Sequence, residues 1–340
     1  MRTTFSYLVV AAVAGVTIAA GGPALVSQPS AGHVGRLAGD SVVQEAVGTA
    51  AQAAAVRYWT PVRMAATLRA ANGSRSTAEK PESHTRLLVR SVPVATADTE
   101  GEGVAWTRGG PVAAAVGKVF FTLGDEDYVC SGTLVAAKHV EVVLTAAHCV
   151  SGGPSDAATA NAGRWAINWM FVPDFRDGVE PYGEYTARRF FVAPGWTGPE
   201  GDTEQYDVAF VQVTASLYGG SDAAKPPPGL PVRFAASRDS APRSQAFVFG
   251  YPAQPPYSGL SLNYCAGQAT ASAGRVRTPC WMTAGDSGGP WLAGFGPRSG
   301  NGTVVAVTTY KISSDLALLY GAVLGPPARA LYEQALRSAR

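Results

Sequence analysis

The chain lacks the features that would place it in several large classes of protein. It has no Lys/Arg cluster and a formal net charge of only +2, so nothing in it argues for nucleic acid as a partner. The apolar stretch from Tyr7 to Ala20 stops at fourteen residues, short of the roughly 20 needed to span a bilayer. There are four cysteines and no Cys-x-x-Cys spacing. His148 alone among the histidines lies within a few residues of a cysteine, which argues against a zinc site. No metal or nucleotide motif is present, so no cofactor is expected.

What is there suits an exported globular protein. Arg2, the apolar stretch and Gly21-Gly22-Pro23-Ala24 read as a secretory signal peptide over residues 1–24, with cleavage between about 20 and about 31. Once it is removed, no stable membrane association is expected. An even number of cysteines in an exported chain predicts two disulfides among Cys130, Cys149, Cys265 and Cys280, and four cysteines allow three pairings. Each bridge would contribute roughly 3 kcal/mol. With 340 residues, 46% of them hydrophobic, the chain can bury one large core or two smaller ones.

Residues 25–108 read as a partly helical segment and linker. Ser41-Val42-Val43-Gln44 matches a capping box and predicts helix from there to about Trp59. Thr60 caps a second helix with Pro61 at its first position, closed by Asn72-Gly73. From Ser74 to Gly110 the pattern breaks into linker. Two short helices would be marginal on their own.

From about 109 onward, short apolar runs alternate with Gly/Pro-rich turns, which predicts an all-β fold. Strands are expected at Val116–Phe121, Cys130–Val135, the run to Leu144, Trp165–Phe171, Tyr185–Val192 and Val208–Val213. Lys225-Pro226-Pro227-Pro228-Gly229 cannot be sheet interior and is a natural crossing to a second half. That half continues with Ala246–Pro252, Asn263–Gln268 and Thr303–Tyr310. Leu331, Tyr332, Ala335 and Leu336 are spaced for a closing helix over 327–340, expected to pack on the second half.

Three stretches carry chemistry. Thr283-Ala284-Gly285-Asp286-Ser287-Gly288-Gly289-Pro290 is either a glycine-rich hairpin loop or a tight turn presenting a nucleophilic serine, with the amides of Gly285 and Ser287 aimed at an oxyanion. Val142 to Leu144 lead into Thr145-Ala146-Ala147-His148-Cys149, placing His148 where a core strand reaches the surface. An imidazole there can take and return a proton near neutral pH. Asp207 opens the apolar run to Val213, where a carboxylate needs a partner; His148 would serve.

These stretches together, in the order His, Asp, Ser, resemble the signatures of the trypsin-like (chymotrypsin-fold) serine proteases over about residues 109–340. The resemblance implies two six-stranded antiparallel β-barrels, 109–225 and 226–340, with a C-terminal helix and an active site between them. It implies His148 as general base, Asp207 as its orienting carboxylate, Ser287 as nucleophile, and Gly285 and Ser287 as the oxyanion hole. It also implies a Cys130–Cys149 bridge beside the histidine, which leaves Cys265 with Cys280. Tyr58-Trp59-Thr60-Pro61 with Arg63-Met64 resembles a stretch found ahead of bacterial exported proteases of this type, so residues 25–108 are expected to be the pro-segment of a zymogen. The implied protein is a secreted monomeric endopeptidase acting on protein or peptide substrates. The alternative is a non-catalytic homologue serving as a binding protein.

Two departures from that family stand out. No Arg-Ile-Val-Gly-Gly-like start precedes Val116, so Asp286 lacks the usual freed N-terminus as partner. Trp281 occupies the position of the acidic selector of trypsins, which excludes tryptic specificity. Thr309, Tyr310 and Lys311 are expected to line the substrate pocket, with Thr308 where glutamyl endopeptidases carry a histidine. Lys311 could favour an acidic side chain, whereas a Trp281 that fills the pocket base would favour small or flat apolar ones.

Overall fold

A computed structural model of the chain describes residues 7–8, 42–73, 101–157, 160–199, 203–216, 226–237, 245–312 and 315–338. Apart from Tyr7 and Leu8, the expected signal peptide lies outside these residues, as does the linker from 74 to 100.

The elements in chain order begin with two short strands, β1 (Tyr7–Leu8) and β2 (Val43–Ala46), and two helices, α1 (Thr49–Tyr58) and α2 (Pro61–Gly73). A two-residue strand β3 (Val104–Ala105) and a short helix α3 (Gly110–Ala115) follow. The first barrel then comprises β4 (Val116–Leu123), β5 (Glu126–Val135), β6 (Glu141–Thr145), β7 (Ile167–Pro173), β8 (Tyr185–Val192) and β9 (Ala209–Ala215). They pair antiparallel in the order β7-β4-β5-β6-β9-β8, and β8 returns to β7 through Thr186 on Met170 and Tyr185 on Phe171. Closure leaves none of these six strands at an open edge along its whole length.

The second half holds β10 (Gln245–Gly250), β11 (Asn263–Gln268), β12 (Thr270–Ser272), β13 (Arg275–Pro279), β14 (Pro290–Gly296), β15 (Asn301–Ile312) and β16 (Asp315–Val323), then helix α4 (Pro326–Arg337). The sheet runs β12-β13-β16-β15-β14-β10-β11. β11 and β12 are separated only by Ala269, so one bent strand pairs with β10 on one arm and β13 on the other, bringing the sheet round on itself. The segment after the proline run ties the halves together: Leu230 bridges Val135 of the first barrel and Val232 bridges Val304 of the second. Disulfides join Cys130 to Cys149 and Cys265 to Cys280.

The two-barrel architecture is as expected, with three local corrections. The capping box at Ser41 does not start a helix; Val43–Ala46 is a strand lying antiparallel on Arg189–Val192. β7 covers β8 only at Tyr185 and Thr186, so the rest of that edge offers unpaired N–H and C=O groups, and pairing with them outweighs one side-chain cap. Residues 101–110 are not loose linker: Trp106 is buried with its ring 5.6 Å from Phe249, 5.4 Å from Tyr264 and 5.4 Å from Phe295. Finally, α4 packs on the first barrel. Gln212 of β9 donates to the Ala335 carbonyl at 2.6 Å, and Tyr332 lies 5.4 Å from Phe210.

The second predicted helix is capped as expected, the Arg63 N–H donating to Thr60 Oγ1 at 3.2 Å. Both N-terminal helices owe their stability to the barrel. Trp59, Met64, Leu68 and Ala71 are buried in the same apolar core as β4 and β5, and burying each large side chain contributes roughly 1.5–3 kcal/mol.

Candidate active site

β6 ends at Thr145 and runs into a single 3-10 turn, Ala147–Cys149, which the Cys130–Cys149 bridge ties back to β5. That turn carries His148, 5% exposed. A second such turn, Glu204–Tyr206, delivers Asp207 just ahead of β9, the strand paired with β6 from Thr145 on Ala209. Adjacent strands thus end side by side and set the two side chains facing each other. Asp207 Oδ1 accepts from the His148 backbone N–H at 2.9 Å, and Oδ2 lies 2.7 Å from His148 Nδ1. A carboxylate can only accept, so Nδ1 carries the proton and Nε2 is left as an acceptor. Nε2 is buried and has no hydrogen-bond partner.

Ser287 comes from the other half, in the turn before β14. The turn is held by Gly288 N–H on the Thr308 carbonyl and by Thr308 N–H on the Gly289 carbonyl, both 2.8 Å. It is pressed against the end of β6. Gly288 has φ +83°, and a Cβ there would lie 2.2 Å from both Thr145 Oγ1 and the Ser131 carbonyl oxygen. No other residue fits. The Ser287 carbonyl accepts from Ser131 N–H at 2.7 Å. The structure therefore brings Ser287 against the strand that carries His148, while His148 Nε2 and the serine hydroxyl are not hydrogen-bonded.

Gly285 also has positive φ, +101°, and a Cβ there would meet the Tyr251 carbonyl oxygen at 2.7 Å. In this turn the amides of Asp286, Gly288 and Gly289 donate to the carbonyls of Thr283, Thr308 and Asp286. Those of Gly285 and Ser287 have no such acceptor among the described residues. These two free N–H groups, one on either side of Asp286, can stabilise a developing oxyanion.

Three residues that the sequence did not mark stand behind this turn. Ser131 Oγ donates to the Gly285 carbonyl and accepts from Tyr251 N–H, each at 2.8 Å. Thr145 Oγ1 donates to the Ser131 carbonyl at 2.8 Å. Lys118 is fully buried, and its ammonium donates to the Tyr251 carbonyl at 2.9 Å. Both Ser131 and Thr145 lie in stretches singled out for other reasons, and only the fold shows what their hydroxyls meet. Lys118 gives a weaker signal, as a lone charge inside an apolar strand.

Asp286 is buried, and its Oδ2 has no hydrogen-bond partner. Burial pushes its carboxyl up to about 7, against the pull of the Lys311 ammonium, its own backbone amide, Lys118 and His148. Burial likewise pushes Lys118 down to about 7, opposed by Asp286.

The expected pocket residues separate into two groups. Trp281 is 55% exposed and turned outward, its backbone N–H donating to the Gly101 carbonyl at 2.8 Å, so it does not form a buried pocket base. Thr309, Tyr310 and Lys311 lie on β15 next to the turn. Thr309 Oγ1 donates to the Tyr320 carbonyl at 3.3 Å, Tyr310 stacks on Tyr320 at 4.9 Å, and Lys311 Nζ donates to the carbonyls of Cys280 and Leu316. Behind them, Trp291 fills the space over Gly321 and donates from Nε1 to Thr308 Oγ1 at 3.0 Å. Among the described residues, the one group of His, Cys, Asp or Glu atoms close enough to hold a metal is Cys130, His148 and Cys149, whose two sulfurs are spent in the disulfide.

A family profile described as a trypsin-like peptidase domain matches residues 130–296. Among solved structures, the chain is similar to the protease Anisep from Arthrobacter nicotinovorans, at 34% identity and TM-score 0.57, over 67% of this chain and 97% of that one. It is also similar to the thermostable serine protease AL20 from an extremophilic microorganism, at 28% identity and TM-score 0.55, over 67% of this chain and 99% of the other. No curated protein matches it.

Proposed function

The chain belongs to the trypsin-like peptidase family, and from that premise we propose that it is a secreted serine endopeptidase working through an acyl-enzyme. Ser287 attacks the peptide carbonyl, and His148 Nε2 receives the hydroxyl proton and hands it to the leaving amine. Asp207 holds the imidazole in the required tautomer and stabilises the charge it gains. The amides of Gly285 and Ser287 receive the oxyanion, and water then releases the acyl group by the reverse steps. The observation that carries this reading is the Asp207–His148 pair at 2.7 Å with Nε2 buried and free to accept. A fluorophosphonate probe tests it: labelling is expected in the wild type and absent in Ser287→Ala, and labelling that persists in that variant would refute the assignment.

Export is supported by the signal-peptide pattern at the N-terminus and by the two disulfides. Among the described residues, no helix is long and apolar enough to cross a membrane. Residues 42–73 are read as the docked part of a pro-segment. Their hydrogen bonds reach Asp127, Asn168, β8, Ala253 and Tyr257, not the triad. This supports a segment that assists folding rather than one that plugs the cleft. The alternative of a non-catalytic binder gains nothing from the site, because His, Asp and Ser all remain.

A further inference from the structure

We propose that the pocket beside Ser287 selects an acidic side chain on the residue whose carbonyl is attacked, with the Lys311 ammonium as the selecting group. This rests on the serine-peptidase reading above and names its substrate class.

β15 is fastened to the nucleophile turn at Thr308, and Lys311 lies three residues further along the same strand. Its side chain reaches back over the segment that leads into the turn, donating to the carbonyls of Cys280 and Leu316, the latter at 2.7 Å. Cys280 N–H in turn donates to the Ala317 carbonyl at 2.8 Å. The ammonium thus stands where the segment before the nucleophile, β15 and β16 come together. An ammonium has three N–H groups, and two go to neutral carbonyl oxygens, which leaves one for an incoming acceptor.

The charges around it favour an anion. Facing Lys311 are the buried carboxyl of Asp286 and the exposed Asp315 at the start of β16, while the buried Lys118 ammonium and His148 act on Asp286. Asp315 is screened by solvent, and Lys118 and Asp286, both drawn to about 7 by burial, largely offset each other, which leaves the Lys311 ammonium as the unbalanced charge. A substrate carboxylate would fill the remaining donor of Lys311 and offset the surplus. A substrate Lys or Arg would add to it, and an apolar side chain would do neither. Burial lowers Lys311 to about 8, with Asp286 and then Asp315 opposing, so the cationic form prevails at neutral pH. The competing reading, a small or apolar preference, needed Trp281 as a buried base, and Trp281 is turned outward.

Two experiments test the pocket. In the first, kcat/KM of the purified protein is measured on peptides that differ only in the residue before the scissile bond: Glu, Asp, Ala, Phe and Lys. Glu or Asp is expected to exceed Ala by about 10²-fold, with Lys lowest, and the ratio to collapse to within about threefold in Lys311→Met. The readout is a ratio within each variant, so a general loss of activity cancels. In the second, Ser287→Ala is titrated calorimetrically with N-acyl peptides ending in Glu or Ala. The Glu peptide should bind about tenfold tighter, and that margin should vanish when Lys311→Met is added. A wild type that prefers Ala or Phe, a Lys311→Met protein that keeps its acidic preference, or equal binding of the two peptides overturns the proposal. Discrimination in binding without cleavage of any peptide would instead refute the peptidase reading and leave the acidic pocket standing.

Discussion

Trp59 is buried in the first barrel with its ring centroid 5.3 Å from that of Phe120, and its indole N–H donates to the Asn168 carbonyl. An amphipathic ring inserted this way joins the N-terminal segment to β4 and β7 at once. Next to it, Asp127 accepts from Tyr58 Oη at 2.8 Å and from Arg63 Nε at 2.9 Å. Trp59→Ala should therefore cost about 3–5 kcal/mol, read as a lowered urea midpoint of the full chain. Arg63→Ala, with its guanidinium partly exposed, should cost much less. If the two variants unfold at the same denaturant concentration as wild type, residues 42–73 are a spacer and not part of the core.

Asp207 uses both carboxylate oxygens on His148, one for the ring and one for the backbone N–H. In Asp207→Asn the amide NH₂ can no longer accept from Nδ1, and the imidazole is driven toward the other tautomer, with Nε2 protonated. The expected result is a fall in kcat of about 10⁴ with little change in KM, measured on the best peptide substrate. A loss of less than tenfold would mean that Asp207 merely fastens the turn.

Gly288→Ala places a methyl 2.2 Å from Thr145 Oγ1 and the Ser131 carbonyl at φ +83°. Neither atom belongs to the flexible end of a long side chain, so the turn must move away from β6. Folded protein, where any forms, should show no fluorophosphonate labelling. Gly294→Ala, also at positive φ but with open space around it, controls for backbone strain alone and should label normally.

What the sequence made legible followed from how local the signal was. The bounds of β8 and β11 agree with the apolar runs that predicted them, and His148, Asp207 and Ser287 sat in short stretches whose residue types suit one chemistry. β13 and β16 were missed because Arg275 and Arg277 interrupt the first and the exposed Asp315 opens the second. They also pair with each other, from Arg275 on Ala322 to Pro279 on Leu318, a contact no local pattern reports. The same holds for β2, where a local capping pattern lost to an open strand edge. It holds too for Ser131, whose two partners lie 120 and 154 residues away. The placement of α4 could not be read from its periodicity, which defines an apolar face but not the barrel it meets.

Glu184, just ahead of β8, is pushed up to about 7 by burial and then by Glu180. A carboxyl whose folded pKa lies above its usual 4.5 binds more protons in the folded state across that interval, so its contribution to stability is lost as pH rises from about 4.5 through about 7. Glu184→Gln removes the titration. The variant should gain in Tm over wild type at pH 8 and show little difference at pH 4. A difference that does not change with pH would show that Glu184 is as well solvated folded as unfolded.

Ser131 Oγ joins the Gly285 carbonyl to Tyr251 N–H, and the hydroxyl is fully buried. The Gly285 peptide that it holds is adjacent to one of the two free amides proposed to receive the oxyanion. Ser131→Ala leaves a buried carbonyl and a buried N–H without partners, costing about 1–3 kcal/mol in stability. It also loosens the donor at the point where charge develops. Such a donor is worth more in the transition state than in the ground state, so kcat should fall by about 10–10² while KM moves by less than about threefold. Ser131→Cys, which keeps a weak donor and a similar volume, should recover part of kcat. If Ser131 served only to hold the barrels together, kcat and KM of the folded fraction would equal those of wild type, and the loss would appear solely in the denaturation midpoint. The kinetic comparison on active-site-titrated enzyme therefore separates positioning from packing.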